Sequence, residues 1–118
     1  MALMEGFTRP EVIRLTSLSS SRLAYFDRQK LVAPAKYGTS KKPTCIYSWE
    51  QILELFAIKD LNRKVSLQTI RQILENFEKM GFSEQLRDKH LVVVGKDVFW
   101  AENNWKDFPE KMLKVSDR

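Results

Sequence analysis

Ser20, Ser21, Arg22 and Tyr25 place two alcohols, a guanidinium and a phenol within six residues. Hydroxyls and a guanidinium in the first turns of a short helix suit the base edges of a DNA major groove. An arginine placed there can hold guanine through two bonds, worth about 1–3 kcal/mol of discrimination. Around them stand Arg9, Arg28, Lys36, Lys41 and Lys42, point charges suited to phosphate, and Tyr37, whose hydroxyl could reach the same backbone. Other chemistries have less to work with. His90 is the only histidine and Cys45 the only cysteine, so a metal site within one chain would depend on carboxylates, and these show no ligand spacing. No glycine-rich phosphate loop, no Gly-x-Ser-x-Gly elbow and no carboxylate pair beside an isolated base is present. The expectation is a binding protein that uses no metal or cofactor, rather than an enzyme.

Charge is distributed unevenly. Lys and Arg number 20 against 15 Asp and Glu, a formal net charge of +5. Residues 1–47 carry eight basic groups and three acids, whereas residues 48–118 carry twelve of each sign. The whole excess therefore belongs to one face or subdomain, as a polyanionic partner would require. An incidentally basic surface is the plain alternative.

A chain of 118 residues, 43% hydrophobic and 30% charged, reads as one compact fold. The lone cysteine excludes an intramolecular disulfide and fits a reducing compartment. No apolar run approaches the roughly 20 residues of a membrane span, and no secretion signal is visible, so a cytoplasmic location is expected.

The elements that must position these side chains follow from capping and periodicity. Thr8-Arg9-Pro10-Glu11 opens a short helix carrying Val12, Ile13 and Leu15. Thr16-Ser17-Leu18-Ser19 then ends that helix and caps the next, from about Ser20 to Gln29, with Leu23 and Phe26 turned inward and Tyr25 as a third candidate for the inner side. Two short helices around such a turn have the shape of a helix-turn-helix. Lys36 to Pro43 reads as a basic hairpin tip before the β-prone Cys45-Ile46-Tyr47. Tyr47 is either a backbone contact or, preferably, a core residue tying the hairpin down. Ser48 to Gln51 caps a helix with Ile52, Leu53, Leu55, Phe56, Ile58 and Leu61 in one broad apolar stripe, ending near Arg63. Ser66 caps a further helix with Ile70, Ile73, Leu74 and Phe77, which Gly81 stops. Leu91 to Val94 and Val98 to Trp100, joined at Gly95-Lys96-Asp97, read as a terminal β-hairpin.

Over residues 7–77 these segments resemble the DNA-binding domain of MerR-type transcription regulators. That family shows Thr-Gly-Val-Ser after its first helix, then Arg-Tyr-Tyr-Asp/Glu, Gly-Leu-Leu-x-Pro, a basic wing, and Tyr-Ser before its third helix. The parallel stretches here are Thr16-Ser17-Leu18-Ser19, Ala24-Tyr25-Phe26-Asp27-Arg28, Lys30-Leu31-Val32-Ala33-Pro34 and Tyr47-Ser48-Trp49-Glu50-Gln51-Ile52. Val65-Ser66-Leu67-Gln68-Thr69-Ile70-Arg71 is similar to the Ser-Leu-x-x-Ile run that opens the family's fourth helix. Ala24 stands where the family has Arg, Lys30 where it has Gly, and the wing lacks Gly-Tyr-Arg before its second strand. The long dimerising helix and effector region that usually follow have no counterpart after Phe77. The resemblance implies a reduced repressor that answers to no small-molecule effector, of the kind found beside mobile or defence loci including CRISPR-associated transposons.

The expected fold is mainly α with small β hairpins: a MerR-like winged helix-turn-helix over residues 1–81 and a short β-hairpin tail over residues 82–118. The expected partner is double-stranded DNA, an operator with inverted half-sites read by a homodimer, since one helix and one wing cover few base pairs. The expected dimer interface is the tail, with Phe77, Leu91, Val93, Phe99, Trp100, Trp105 and Phe108. The same hairpin could instead close the core of its own subunit. Rival functions are an excisionase-like architectural factor, which would bend DNA beside a recombinase, and an antitoxin or adaptor whose tail hairpin binds another protein.

Overall fold

The computed structural model describes residues 6–38, 41–101 and 112–116. They form four α-helices and two three-stranded antiparallel sheets. By compactness the chain divides into two units, Met1–Phe56 and Ala57–Arg118, and the division falls inside a helix.

In the first unit a strand absent from the sequence reading, β1 (Phe7–Thr8), pairs with β3 (Thr44–Tyr47), which also pairs with β2 (Ala35–Tyr37). The order is β1-β3-β2. Gly6 permits this closeness, because a Cβ there would run into the Ile46 side chain. Helix α1 (Arg9–Thr16) begins where the Thr8 amide and hydroxyl both donate to the Glu11 carboxylate at 2.9 Å. It ends at Thr16, whose buried hydroxyl donates to the Val12 carbonyl at 2.7 Å and accepts from the Leu18 amide at 3.2 Å. Between them Ser17 takes a left-handed φ of 60°. Helix α2 (Ser20–Arg28) is capped by the Ser19 hydroxyl, which accepts from the Arg22 amide at 3.1 Å. At its other end Lys30 also turns left-handed, at φ 57°. The Leu31 amide folds back there onto the Phe26 carbonyl at 2.9 Å. Among the described residues of this unit, Val12, Leu18, Leu23, Phe26, Val32, Pro34, Tyr47, Ile52 and Leu55 are buried.

Helix α3 (Trp49–Asn62) opens on a reciprocal cap: the Ser48 amide donates to the Gln51 side chain at 2.9 Å, and the Gln51 amide to the Ser48 hydroxyl at 3.1 Å. Its apolar residues do not make one buried stripe. Ile52, Leu55, Ile58 and Leu61 are buried, while Trp49, Leu53 and Phe56 are 53%, 39% and 40% exposed. Residues 49, 53 and 56 recur at four and three positions and so share the opposite side of the helix. Trp49 finds one partner at its N-terminal end, Phe7, with ring centroids 5.9 Å apart.

In the second unit α4 (Leu67–Lys79) is capped by Ser66, whose hydroxyl accepts from the Thr69 amide at 3.2 Å. It buries Ile70, Ile73, Leu74 and Phe77. Gly81 follows at φ 81°, the left-handed stop that a side chain would resist. The tail is larger than a hairpin. Strands β4 (His90–Val94) and β5 (Asp97–Ala101) pair around a two-residue turn, and β6 (Met112–Lys114) pairs with β5 on its other side. Beyond β6 the Val115 amide donates to the Val98 carbonyl at 2.8 Å, and the Val115 carbonyl accepts from Asn76 of α4 at 2.8 Å.

Candidate nucleic-acid interface

Helix α2 is built to present one face. Leu23 and Phe26 are buried, and Ser21, Tyr25 and Arg28, spaced by four and three residues, line up on the side away from them. Ser20, Ser21, Arg22 and Arg28 are exposed and Tyr25 is half-buried, edge-on to Phe26 with centroids 6.1 Å apart. The left-handed Ser17 and the Ser19 cap fix where this helix starts. Ser19 also shares a 3.1 Å hydrogen bond with Ser21, so one of the expected base-reading hydroxyls already has a neighbour.

The β2–β3 hairpin supplies the second surface. Lys41 and Lys42 are exposed in the segment joining its strands, and Tyr37 is 48% exposed on β2. The base of the hairpin is tied to both neighbouring helices. The Gln51 side chain of α3 donates to the Ala33 carbonyl at 2.7 Å. Arg9 of α1 points its guanidinium at the Tyr47 hydroxyl across a long 3.5 Å contact. Tyr47 is fully buried and therefore a core residue, not a backbone contact. Burial pushes its hydroxyl above the ordinary range, opposed by the Arg9 charge, so Tyr47 stays protonated. For Arg9 burial works against the charge, but the hydrogen bond and the field of Tyr47, with Cys45 and Asp27 behind it, leave it above its usual value. Its Nε is buried without a hydrogen-bond partner. Arg9, expected on phosphate, is thus half-buried against the β2–β3 hairpin.

Lys36 also departs from expectation. Its ammonium lies 2.9 Å from both carboxylate oxygens of Asp27, in the last turn of α2, and is engaged before any phosphate approaches. Lys36, expected on phosphate, is thus paired with Asp27. An acid in the last turn of a helix, where the dipole disfavours it, was the readable signal that Asp27 has a cationic partner.

The expected dimer residues separate by face. Register pairs Leu91 with Trp100 and Val93 with Val98, and Trp100 meets Phe77 edge-on at 5.3 Å, so these four strand residues share the sheet face turned to α4. Phe77 is 0% exposed and has no surface to offer a second subunit, because its own sheet covers it. Phe99, paired with Val92, alternates to the other face, as does the largely exposed Val94. Trp105 and Phe108 lie outside the described residues.

Among the described residues no group of three His, Cys, Asp or Glu side chains is placed to hold a metal ion. No helix among them is long and apolar enough to cross a membrane. Compared with models of protein families, with curated proteins and with solved structures, the chain matches none.

Proposed function

We propose that the protein is a sequence-specific regulator of transcription that binds double-stranded DNA through a MerR-like winged helix-turn-helix and represses, as a homodimer, by occupying a promoter. The observation that carries this reading is a pair of backbone conformations. In the MerR-type pattern glycine stands second in Thr-Gly-Val-Ser and first in Gly-Leu-Leu-x-Pro. The matching positions here are Ser17 and Lys30, and these are the non-glycine residues with positive φ among those described, at 60° and 57°. Left-handed backbone is unfavourable for a side chain, so its recurrence at both points favours the same chain path with different side chains. The sequence difference at Lys30 is then a difference in charge, adding a cation beside α2, and not a difference in fold.

Charge agrees with the reading. Ser20, Ser21, Arg22 and Arg28 are exposed on α2, Lys41 and Lys42 are exposed at the hairpin, and the net +5 of the chain resides in residues 1–47. Arg22 takes the role of base reader. Arg28, Lys30, Lys41 and Lys42 take phosphates, which fix register without reading sequence.

Footprinting of the purified protein on the DNA upstream of its own coding sequence tests this proposal. The expected result is two protected half-sites in inverted orientation, centred about 10 base pairs or a multiple of that apart. Direct repeats beside a recombination site would favour the excisionase-like reading. No protection, together with a stoichiometric protein partner, would favour the adaptor.

A further inference from the structure

We propose that Lys36 is a positioning residue: through Asp27 it latches the wing to the end of α2, so that the helix and the hairpin tip meet a duplex as one surface. The proposal rests on the DNA-binding reading and goes beyond it, because it takes a cation out of the contact set and gives an acid a part in binding.

Asp27 sits in the last turn of α2, where its carbonyl accepts from the Lys30 amide at 3.1 Å and so belongs to the turn that ends the helix. A carboxylate there faces the negative end of the helix dipole and is misplaced unless compensated. Compensation comes from Lys36, nine residues on and in the middle of β2, with its ammonium 2.9 Å from each carboxylate oxygen. Asp27 is the more buried partner, its side chain 18% exposed against 46% for Lys36, so the carboxylate is the fixed end of the latch. Lys36 pairs in register with Cys45, which places it on the outer strand of the sheet. That strand has no β1 beside it to hold it, since β1 lies across β3. Gln51 ties the chain before β2 at Ala33, and the Asp27–Lys36 pair ties β2 itself.

A latch and a phosphate contact predict opposite signs for one substitution. Asp27→Asn removes a negative charge from a DNA-binding surface and releases Lys36. If Lys36 met phosphate, the variant would bind DNA more tightly, and Lys36→Met would lower the slope of log affinity against log salt by about 0.9. If the pair is a latch, both variants weaken binding by about three- to fivefold, the size of effect a partly exposed ion pair carries. The slope for Lys36→Met then stays near that of the unaltered protein. The exchanged pair Asp27→Lys/Lys36→Asp recovers most of the loss, which a purely local role for either residue would not give.

The experiment is a salt series of duplex binding by the full chain and these three variants, with amide hydrogen exchange of Ala35–Tyr37 and Thr44–Tyr47 measured on the same samples without DNA. Weakened binding and faster strand exchange in both single variants, restored by the exchanged pair, support the latch. Tighter binding by Asp27→Asn, or strand exchange indifferent to both single variants, overturns it. Should the unaltered protein show no preference for any duplex, the DNA-binding reading fails. The exchange data then still decide by the same criterion whether the pair holds the strand.

Discussion

The indole of Trp100 stands edge-on to Phe77, ring centroids 5.3 Å apart and planes at 89°, and Phe82 closes on the same indole at 4.7 Å. The terminal sheet is thus the cover of its own helix. Trp100→Ala should cost about 3 kcal/mol, as a truncated core aromatic does. In urea unfolding the midpoint should fall with the slope unchanged, at any protein concentration. A loss that disappears at high protein concentration would instead put Trp100 at a subunit interface.

Lys89 is the other support of that unit. Its side chain is 5% exposed, and its ammonium lies 2.6–3.0 Å from Asp88, from the Ser83 carbonyl and hydroxyl, and from the Gln85 carbonyl. The ammonium also sits 4.8 Å from the centre of the Phe77 ring. With three protons for four oxygens, the charge is fully used. Lys89→Met keeps the aliphatic stem but leaves those oxygens short of a donor, and should destabilise the protein by roughly 2–3 kcal/mol. A thermal melt unchanged by this substitution would contradict the assignment.

The left-handed positions give predictions of the opposite sign. Lys30→Gly should relieve backbone strain and raise stability by up to about 1 kcal/mol, because the gain at φ 57° exceeds the entropy that glycine adds to the unfolded chain. Ser17→Gly should behave alike. Lys30→Ala, which removes the charge but keeps a Cβ, should leave stability where it is. Equal melting temperatures for the glycine and alanine variants would show that the conformation carries no strain.

Desolvation, followed by the fields of Glu78 and Glu75 and a hydrogen bond to Glu78, pushes the Glu84 carboxyl above its ordinary range. For an acid whose folded value is raised, ionisation destabilises the fold, so its contribution worsens as pH rises through the folded value. Glu84→Gln should therefore melt higher than the unaltered protein at pH 7. That advantage should shrink as pH falls and vanish below about 4, under the unfolded value. Asp88 and Glu11 act in the other direction. Burial alone would raise Asp88, but its bonds from Lys89 and Ser83 lower it, and the Thr8 amide and hydroxyl lower Glu11. Their stabilisation is present above the unfolded value and is lost as pH falls through the folded one. Melting curves for both proteins between pH 3 and 7, a range chosen about those values, would check both signs.

Much of this was legible in the sequence because it is local. Thr8, Ser19, Ser48 and Ser66 each mark a helix start through bonds to residues three positions on, and all four helices begin beside them. What was not legible depends on residues far apart. Strand β1 is two residues long and exists only because β3, some forty positions later, lies beside it with Gly6 allowing the approach. Strand β6 likewise depends on β5, and its arrival turns a hairpin into a sheet. At the candidate site the exposed set on α2 follows from helical spacing. The diversion of Lys36 to Asp27, and of Arg9 to Tyr47, follows from where the hairpin folds back, which composition cannot give. The pattern marks Trp100 and Phe77 as apolar, but leaves open whether the sheet covers its own helix or another subunit's.

The most direct test of the central claim is a mobility shift of the full chain on the DNA upstream of its own coding sequence, across a salt series, beside Arg22→Ala and the double variant Lys41→Ala/Lys42→Ala. Arg22→Ala should lose preference for the site over random duplex by roughly 5- to 150-fold, the equivalent of about 1–3 kcal/mol. The double variant should keep the preference while its salt slope falls by up to about 0.9 for each lost phosphate contact. Binding no better than to random DNA at moderate salt, by a protein shown to be folded, would contradict the account.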